Sequence, residues 1–245
     1  ATLLYVAAYN LLGGKPEDLG ACSMPDPKTL GQLVEVFAPE EIPEFIVATF
    51  LAAEDDNFYK HSGVDYVGIA RAMLKNIKAG RIVQGASTIT QQVAKSLLLT
   101  NERTFTRKIK DLLLAKKIEE KFTKKEILFL YLNEVYLGGG YYGVKAAFRG
   151  YFGKELDEAT IAETALIAGL LVAPGKYSPY RNPQYAKTRQ RYVLSRLYKT
   201  EKITREEYDQ ALSEDIKIQR RVLGKMKAGY FTDWVRQRVL EKFGK

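Results

Sequence analysis

Apolar residues recur along most of this chain at steps of three and four, and the steps mark out a succession of helices. Ile42, Phe45, Ile46, Thr49, Phe50 and Ala53 predict a first helix with one buried face, running out at Glu54. Val64, Val67, Ile69, Ala70, Met73, Leu74 and Ile77 predict a second that stops at Gly80. Val93, Ala94, Leu97 and Leu98 carry a third, with Ser87 as its capping hydroxyl. Leu112, Leu113, Ala115 and Ile118 form the apolar side of a strongly basic fourth. Ile127, Leu128, Leu130, Tyr131, Val135 and Tyr136 predict an apolar fifth, followed by the loop Gly138-Gly139-Gly140 and the stretch Tyr141-Tyr142-Gly143. Ala146 to Phe152 reads as another helix ending at Gly153, and the alanine- and leucine-rich run from Leu156 to Leu171 as a fully buried one that stops before Ala173-Pro174-Gly175. Pro183 to Tyr198 predicts an amphipathic helix bearing Arg189, Arg191 and Arg196, and Thr204-Arg205-Glu206-Glu207 a capping box opening a last short one. No stretch alternates convincingly with period two, so the fold class is all or mostly α.

The flanks are less regular. Gly13 to Pro43 is broken by nine glycines and prolines, which predicts a loop-rich segment. Before it, Leu3 to Leu12 forms an apolar run shorter than the roughly 20 residues a bilayer span requires. It reads either as a buried or interfacial amphipathic helix or as the end of a longer membrane helix or signal anchor. Beyond Ser213, Ile216, Ile218, Val222 and Leu223 predict a strand, and Ala228 to Phe243 a final helix with the only tryptophan, Trp234. The chain therefore divides into a membrane-proximal leading segment, 1–39, a helical domain, 40–212, and a linker-like segment, 213–245.

Composition narrows the partners and the chemistry. With 46% hydrophobic residues among 245, the chain can bury one good-sized core. Lysine and arginine total 38 against 29 acids, a net charge of +9, which predicts an anionic partner: nucleic acid, phospholipid headgroups or a phosphorylated substrate. Ten basic residues and five acids fall between Lys95 and Glu126, so the excess is concentrated there. A single cysteine, Cys22, excludes an internal disulfide, and one cysteine with one histidine excludes an ordinary zinc site.

Candidate chemistry centres on Glu54, where the buried stripe of the first helix meets Asp55, Asp56, Asn57, Phe58, Tyr59, Lys60 and the only histidine, His61. Partial burial raises a carboxylate's pKa and a nearby cation lowers it, so this position is tunable for proton transfer. A solvated pair of helix-end acids is the plainer alternative. Thr88, Gln92 and Lys95 share one helical face, a polar stripe ending in a cation that suits a sugar-phosphate ligand. Arg103, Arg107 and Lys110 surround Asp111 on the next helix, and both stripes have a solvated helix face as the simpler explanation.

Taken in this order, the segments resemble the peptidoglycan glycosyltransferases of family 51, the lipid-II-polymerising domain of class A penicillin-binding proteins and of monofunctional transglycosylases. Glu54 to Gly63 resembles that family's first motif, E-D-x-x-F-x-x-H-x-G, and Gly85 to Gln92 its second, G-G-S-T-I-T-Q-Q. Arg107-Lys108-Ile109-Lys110-Asp111 is similar to the third, R-K-x-x-E, Lys125 to Asn133 to the fourth, and Tyr151-Phe152-Gly153-Lys154 with Ala173-Pro174 to the fifth. The likeness covers residues 40 to 212, and Tyr230 to Arg236 is similar to the linker that precedes a transpeptidase domain in two-domain members.

The resemblance implies a lysozyme-like helical lobe with a smaller, membrane-facing jaw lobe, acting at the outer, periplasmic face of the bacterial cytoplasmic membrane. Its substrates would be lipid II and the growing glycan chain. The acceptor's 4-hydroxyl would attack the donor's anomeric carbon and expel undecaprenyl diphosphate with inversion, giving a β-1,4 bond. Carried over residue by residue, Glu54 is the general base, Asp55 supports it, and Asp111 is the second catalytic carboxylate. His61, Ser87, Thr88, Gln91 and Gln92 fall among the substrate-binding positions. Lys95, Arg103, Lys108 and Lys110 are the cations that would stabilise the leaving diphosphate. No cofactor is required by the resemblance, although a divalent metal, Mg or Mn, has a natural place at the diphosphate.

Two residues depart from the pattern. Ala86 stands for the second glycine of the second motif, and Asp111 is one methylene shorter than the family's glutamate. Two rival readings remain: a lysozyme-like glycan hydrolase or lytic transglycosylase, in which Glu54 is the general acid, and a basic nucleic-acid or membrane-surface module. The first does not explain the cation cluster, because a sugar leaving group needs a proton. The second does not explain Glu54 or the Ser87 to Gln92 run, so no nucleic-acid partner is expected.

Overall fold

The computed structural model describes residues 42–81, 85, 87–97 and 105–219, with side chains at 97 and 105–107 excepted. Within them the secondary structure is helical, and the one β feature is an isolated antiparallel bridge between Tyr136 and Tyr142. The helices are α1 (Glu44–Glu54), α2 (Tyr66–Ala79), α3 (Ile89–Leu97), α4 (Phe105–Lys121), α5 (Lys124–Glu134), α6 (Val144–Phe152), α7 (Ile161–Gly169), α8 (Pro183–Lys199) and α9 (Arg205–Ser213). The all-α expectation holds for these residues. The leading segment 1–39, Arg103, Ala86 and the segment 220–245 with Trp234 lie outside the described residues.

The core forms where the apolar stripes of α1, α3, α5, α6, α7 and α8 converge. Ile46 and Phe50 from α1, Ile127 and Leu132 from α5, Phe148 and Tyr151 from α6, Ile167 from α7 and Val193 and Leu194 from α8 are all fully buried. α7 is enclosed along its whole length, packed chiefly against α8 and α1, and it reads as apolar all round for that reason. Four capping interactions set the register of the bundle. Thr123 with Glu126, Thr160 with Glu163 and Thr204 with Glu207 form reciprocal boxes at the starts of α5, α7 and α9. Asp65 caps α2 by accepting a hydrogen bond from the Gly68 amide at 2.8 Å.

Two expectations are corrected, and one helix is placed more closely than the sequence did. The run from Leu156 to Leu171 is not one helix: a 3₁₀ turn at Leu156–Glu158 precedes α7, and another, Leu170–Val172, follows it. The Thr160 hydroxyl accepts from the Glu163 amide and the Glu163 carboxylate from the Thr160 amide, which favours a fresh start there. The strand expected at Ile216 and Ile218 is absent, because the described part of that segment joins no ladder. It is held by a bond from the Gln219 amide to the Tyr151 carbonyl and by Thr160 Oγ1 donating to Glu214. Finally, the apolar stripe of α2 does not enter the core. Tyr66, Val67, Met73, Leu74 and Ile77 are exposed, and only Ala72 of this helix is buried.

Candidate active site

Glu54 is the last residue of α1, and the helix is anchored on both sides of it. Phe50 roots α1 in the core, while Arg196 from α8 reaches the helix end, its Nε donating to the Ala52 carbonyl at 3.2 Å and its guanidinium pairing with Asp56. A cation at a helix C-terminus satisfies a free carbonyl and opposes the negative end of the dipole. The Glu54 carboxylate accepts a hydrogen bond from Gln92 Nε2 at 2.8 Å on Oε2. Burial raises its pKa above the ordinary carboxylate value, the Gln92 amide and the Arg189 guanidinium pull it down, and the Asp55 charge pushes it up again. The net shift is upward, which makes Glu54 a stronger base than an exposed glutamate.

Asp55 points the other way. Its buried carboxylate takes His61 Nε2 at 3.1 Å and the Ile89 amide at 3.0 Å. It therefore sits at the N-terminus of α3, where an anion is favoured. The capping residue of α3 is Thr88, not Ser87 as the sequence suggested. The Gln91 amide donates to Thr88 Oγ1 at 3.1 Å, and the Gln91 side-chain oxygen faces the Thr88 amide at 3.4 Å. The Thr88 hydroxyl itself donates to the Gly63 carbonyl at 2.7 Å. Ser87 is exposed, and its Oγ accepts from Lys108 Nζ at 3.2 Å. Asp55, His61 and Thr88 thus tie the turn after Glu54 to the helix that carries Gln92.

A second brace holds the same turn from below. Lys124 donates to the His61 carbonyl at 2.6 Å and to Glu119 at 2.8 Å, and its ammonium lies 4.3 Å from the Phe58 ring centroid. Thr90 of α3 donates to the same Glu119 oxygen at 2.6 Å. Gly63 is required here: its φ is +88°, and a Cβ would lie 3.0 Å from the Ala115 carbonyl oxygen.

Glu54 opens onto a cleft of about 850 Å³. Of the residues singled out in the sequence, Glu54, Ser87, Gln91, Gln92, Lys95, Lys108 and Asp111 line it. Lys108 bridges the walls, with Nζ 3.2 Å from Ser87 Oγ and 3.5 Å from Gln91 Oε1. Asp111 is 3% exposed, and its Oδ1 has no hydrogen-bond partner. Asp55, His61 and Thr88 do not line this cleft, and Lys110 is exposed outside it. Asp55 and Thr88 face a smaller polar recess of about 160 Å³ on the other side of the turn.

Several lining residues carried no chemical signal in the sequence. Tyr131, Arg189 and Tyr192 were legible only as members of helices, yet they form the wall facing Glu54. The Arg189 guanidinium lies 4.2 Å from the Tyr192 ring centroid. Tyr136 and Tyr142 reach the rim from either arm of the bridged turn, with ring centroids 4.9 Å apart. That turn is drawn tight by Gly138, Gly139 and Gly140, all at positive φ, and the Leu137 amide closes it on the Tyr141 carbonyl. The spacing of two tyrosines around three glycines was the available clue.

The transglycosylase family profile matches residues 28–198. The chain belongs to the transglycosylase family. This transglycosylase is 48% identical over 205 residues to penicillin-binding protein 1A of Aquifex aeolicus, covering 84% of the chain and 28% of that protein. It is 47% identical over 205 residues to penicillin-binding protein 1A of Neisseria cinerea, covering 83% and 26%. A crystal structure of penicillin-binding protein 1A from Haemophilus influenzae aligns with a TM-score of 0.46 at 28% identity, covering 86% of this chain and 21% of that one. The transglycosylase thus spans about a quarter of the length of these relatives. Among its described residues no group of three or more His, Cys, Asp or Glu side chains is arranged to hold a metal ion.

Proposed function

We propose that this chain polymerises lipid II, with Glu54 as general base and Lys95 and Lys108 as the cations that receive the diphosphate. What supports the reading is a single cleft that pairs a half-buried, proton-accepting carboxylate with the ammonium groups of Lys95 and Lys108. The acceptor's 4-hydroxyl gives its proton to Glu54 as its oxygen bonds to the donor's anomeric carbon. The bond from that carbon to the diphosphate breaks, its electron pair leaves on the diphosphate oxygen, and the configuration inverts. Lys108, held against Ser87 and Gln91, stabilises that charge with little reorganisation as it develops, and Lys95 lines the same cleft. Gln92 orients the base, and Asp111 offers an unpaired oxygen to the bound sugar. Asp55, His61 and Thr88 act by holding the turn and α3 in register.

Among the described residues the acids of the cleft, Glu54, Asp111 and Glu134, share it with Lys95 and Lys108 and form no group of three arranged to hold a metal ion, which does not fit a divalent ion held by protein side chains alone. The diphosphate is therefore assigned to the lysines. The exposed apolar stripe of α2, with Tyr66, Val67 and Ile77 at 77%, 68% and 67% exposure, has Arg71, Lys75 and Lys78 beside it. An apolar face flanked by cations suits an anionic lipid surface, which supports a reaction at the membrane where lipid II resides. No described helix is long and apolar enough to cross a bilayer. Because the longer relatives are named for penicillin binding, the segment after Ser213 is assigned as the link toward a transpeptidase domain in the intact protein, on the outer face of the cytoplasmic membrane.

The test is incubation of the purified chain with lipid II in detergent, beside a Glu54→Gln variant, with products resolved by gel. A glycan ladder that disappears in the variant supports the assignment. Release of soluble fragments from preformed glycan, with no ladder, supports the hydrolase instead.

A further inference from the structure

Among the described residues, four of the five buried polar side-chain atoms that lack a hydrogen-bond partner belong to residues lining the Glu54 cleft: Gln91 Nε2, Asp111 Oδ1, Tyr131 Oη and Arg189 Nε. A buried, unpaired polar atom costs stability, and its retention calls for a state in which it is paired. Tyr131 is the most constrained of the four. It lies on α5 at 3% exposure, enclosed by core side chains, so its phenol cannot swing out to water. The negative charges that bear on it are Glu54 and Asp55. Asp55 is already committed, with His61 at both oxygens and the Ile89 amide at one. Glu54 is not: Gln92 occupies Oε2, and among the described residues no donor occupies Oε1.

We infer that Tyr131 is a positioning residue for Glu54, its phenol donating to the free carboxylate oxygen once substrate fills the cleft. This rests on the general-base assignment above and deepens it. With Gln92 on one oxygen and Tyr131 on the other, the carboxylate is fixed in plane and keeps a lone pair on each oxygen for the acceptor's proton. Burial and the neighbouring charges hold the Tyr131 pKa well above its ordinary value, so the phenol stays a donor throughout the working pH range. The other groups around Glu54 are Asp55, with its partner His61, and Asp56 on its own turn, Asp65 before α2, Arg71 and Lys75 of α2, and Lys95 from α3. From the remaining walls come Lys108 and Asp111 of α4, Glu134 of α5, and Arg189, Tyr192 and Arg196 of α8. None of these reaches Glu54 with a hydrogen bond in the structure.

The discriminating experiment is Tyr131→Phe, which keeps the ring and removes only the hydroxyl. Because the bond forms only in the complex, kcat should fall about tenfold and the acid limb of kcat against pH should move to higher pH by about one unit. The limb of kcat/KM, which reports the free enzyme, should stay in place, and the melting temperature should hold or rise because an unpaired buried hydroxyl has gone. A kcat limb that does not move, or activity and melting temperature that fall together, overturns the inference. A second measurement adds Tyr131→Phe to Glu54→Gln, where the loss already incurred should not deepen. Near-normal activity in Glu54→Gln would overturn the general-base reading itself. An inactive Glu54→Gln beside an unaltered Tyr131→Phe would overturn only the role of Tyr131.

Discussion

Replacing Gln92 with methionine removes the hydrogen bond that Gln92 Nε2 donates to Glu54 Oε2 while nearly conserving side-chain length and volume. Hydrogen bonds to a charged group contribute about 1.5–3 kcal/mol, and Glu54 is half-buried at the mouth of the cleft, so the low end of that range applies. Since about 1.4 kcal/mol corresponds to one pKa unit, losing the bond should raise the Glu54 pKa by about one unit beyond the rise burial already imposes. The acid limb of kcat/KM for lipid II polymerisation, which reports the free enzyme, should move to higher pH by that amount. Its plateau should fall too, because Gln92 lines the cleft. Stability follows the same linkage. The folded Glu54 pKa lies above its ordinary value of 4.5, so folding favours the protonated group and ionisation costs stability as pH rises through the folded pKa. Gln92→Met should therefore match the parent near pH 4, where the group is protonated in both, and fall behind by about 1.4 kcal/mol once pH exceeds both folded values. An acid limb that stays in place, or a deficit equally large at pH 4 and pH 8, would refute the reasoning.

Three further outcomes are expected. Asp111→Glu should raise turnover, because the added methylene extends the carboxylate into an open cleft and about 1 Å of displacement at a reacting centre is worth on the order of a hundredfold in rate; equal or lower kcat rejects this. Gly63→Ala should destabilise the fold by about 1–3 kcal/mol from the left-handed backbone alone, and unchanged denaturant midpoints would contradict it. Met73→Glu with Leu74→Glu on α2 should weaken binding to vesicles of anionic phospholipid by at least about tenfold while leaving the melting temperature intact, since both side chains face solvent. Binding that survives would remove α2 from the membrane contact.

The helices were legible in the sequence wherever one face is buried against several others, as in α1, α5 and α8, because burial imposes the step of three and four directly. Boundaries were less so. Ser87 and Thr88 are adjacent hydroxyls with equal capping propensity, and only the Gly63 carbonyl and the Asp55 carboxylate, brought in from another element, decide for Thr88. The break before α7 was masked because alanine and leucine suit a 3₁₀ turn and a helix alike. α2 showed a helical stripe that fills no core, since periodicity marks an apolar face and not what covers it. Glu54, Gln92 and Lys108 were singled out because they sit within short motifs, and Lys95 because it shares a helical face with Thr88 and Gln92. Tyr131 and Arg189 were not, because a tyrosine in an apolar helix and an arginine on an amphipathic one gain meaning only from what folding sets beside them. Arg196 and Asp56, 140 residues apart in the chain, illustrate the same limit.

The central claim is base-assisted transfer of a sugar to a hydroxyl acceptor with a diphosphate leaving group, and the most direct test is stoichiometric. With purified chain and lipid II, the undecaprenyl diphosphate released should be counted against the β-1,4 glycosidic bonds formed over the same interval. One diphosphate per bond, with both lost in Glu54→Gln, is the predicted result. Diphosphate released in excess of bonds, with free reducing sugar accumulating, would mean that water is the acceptor and would contradict the account.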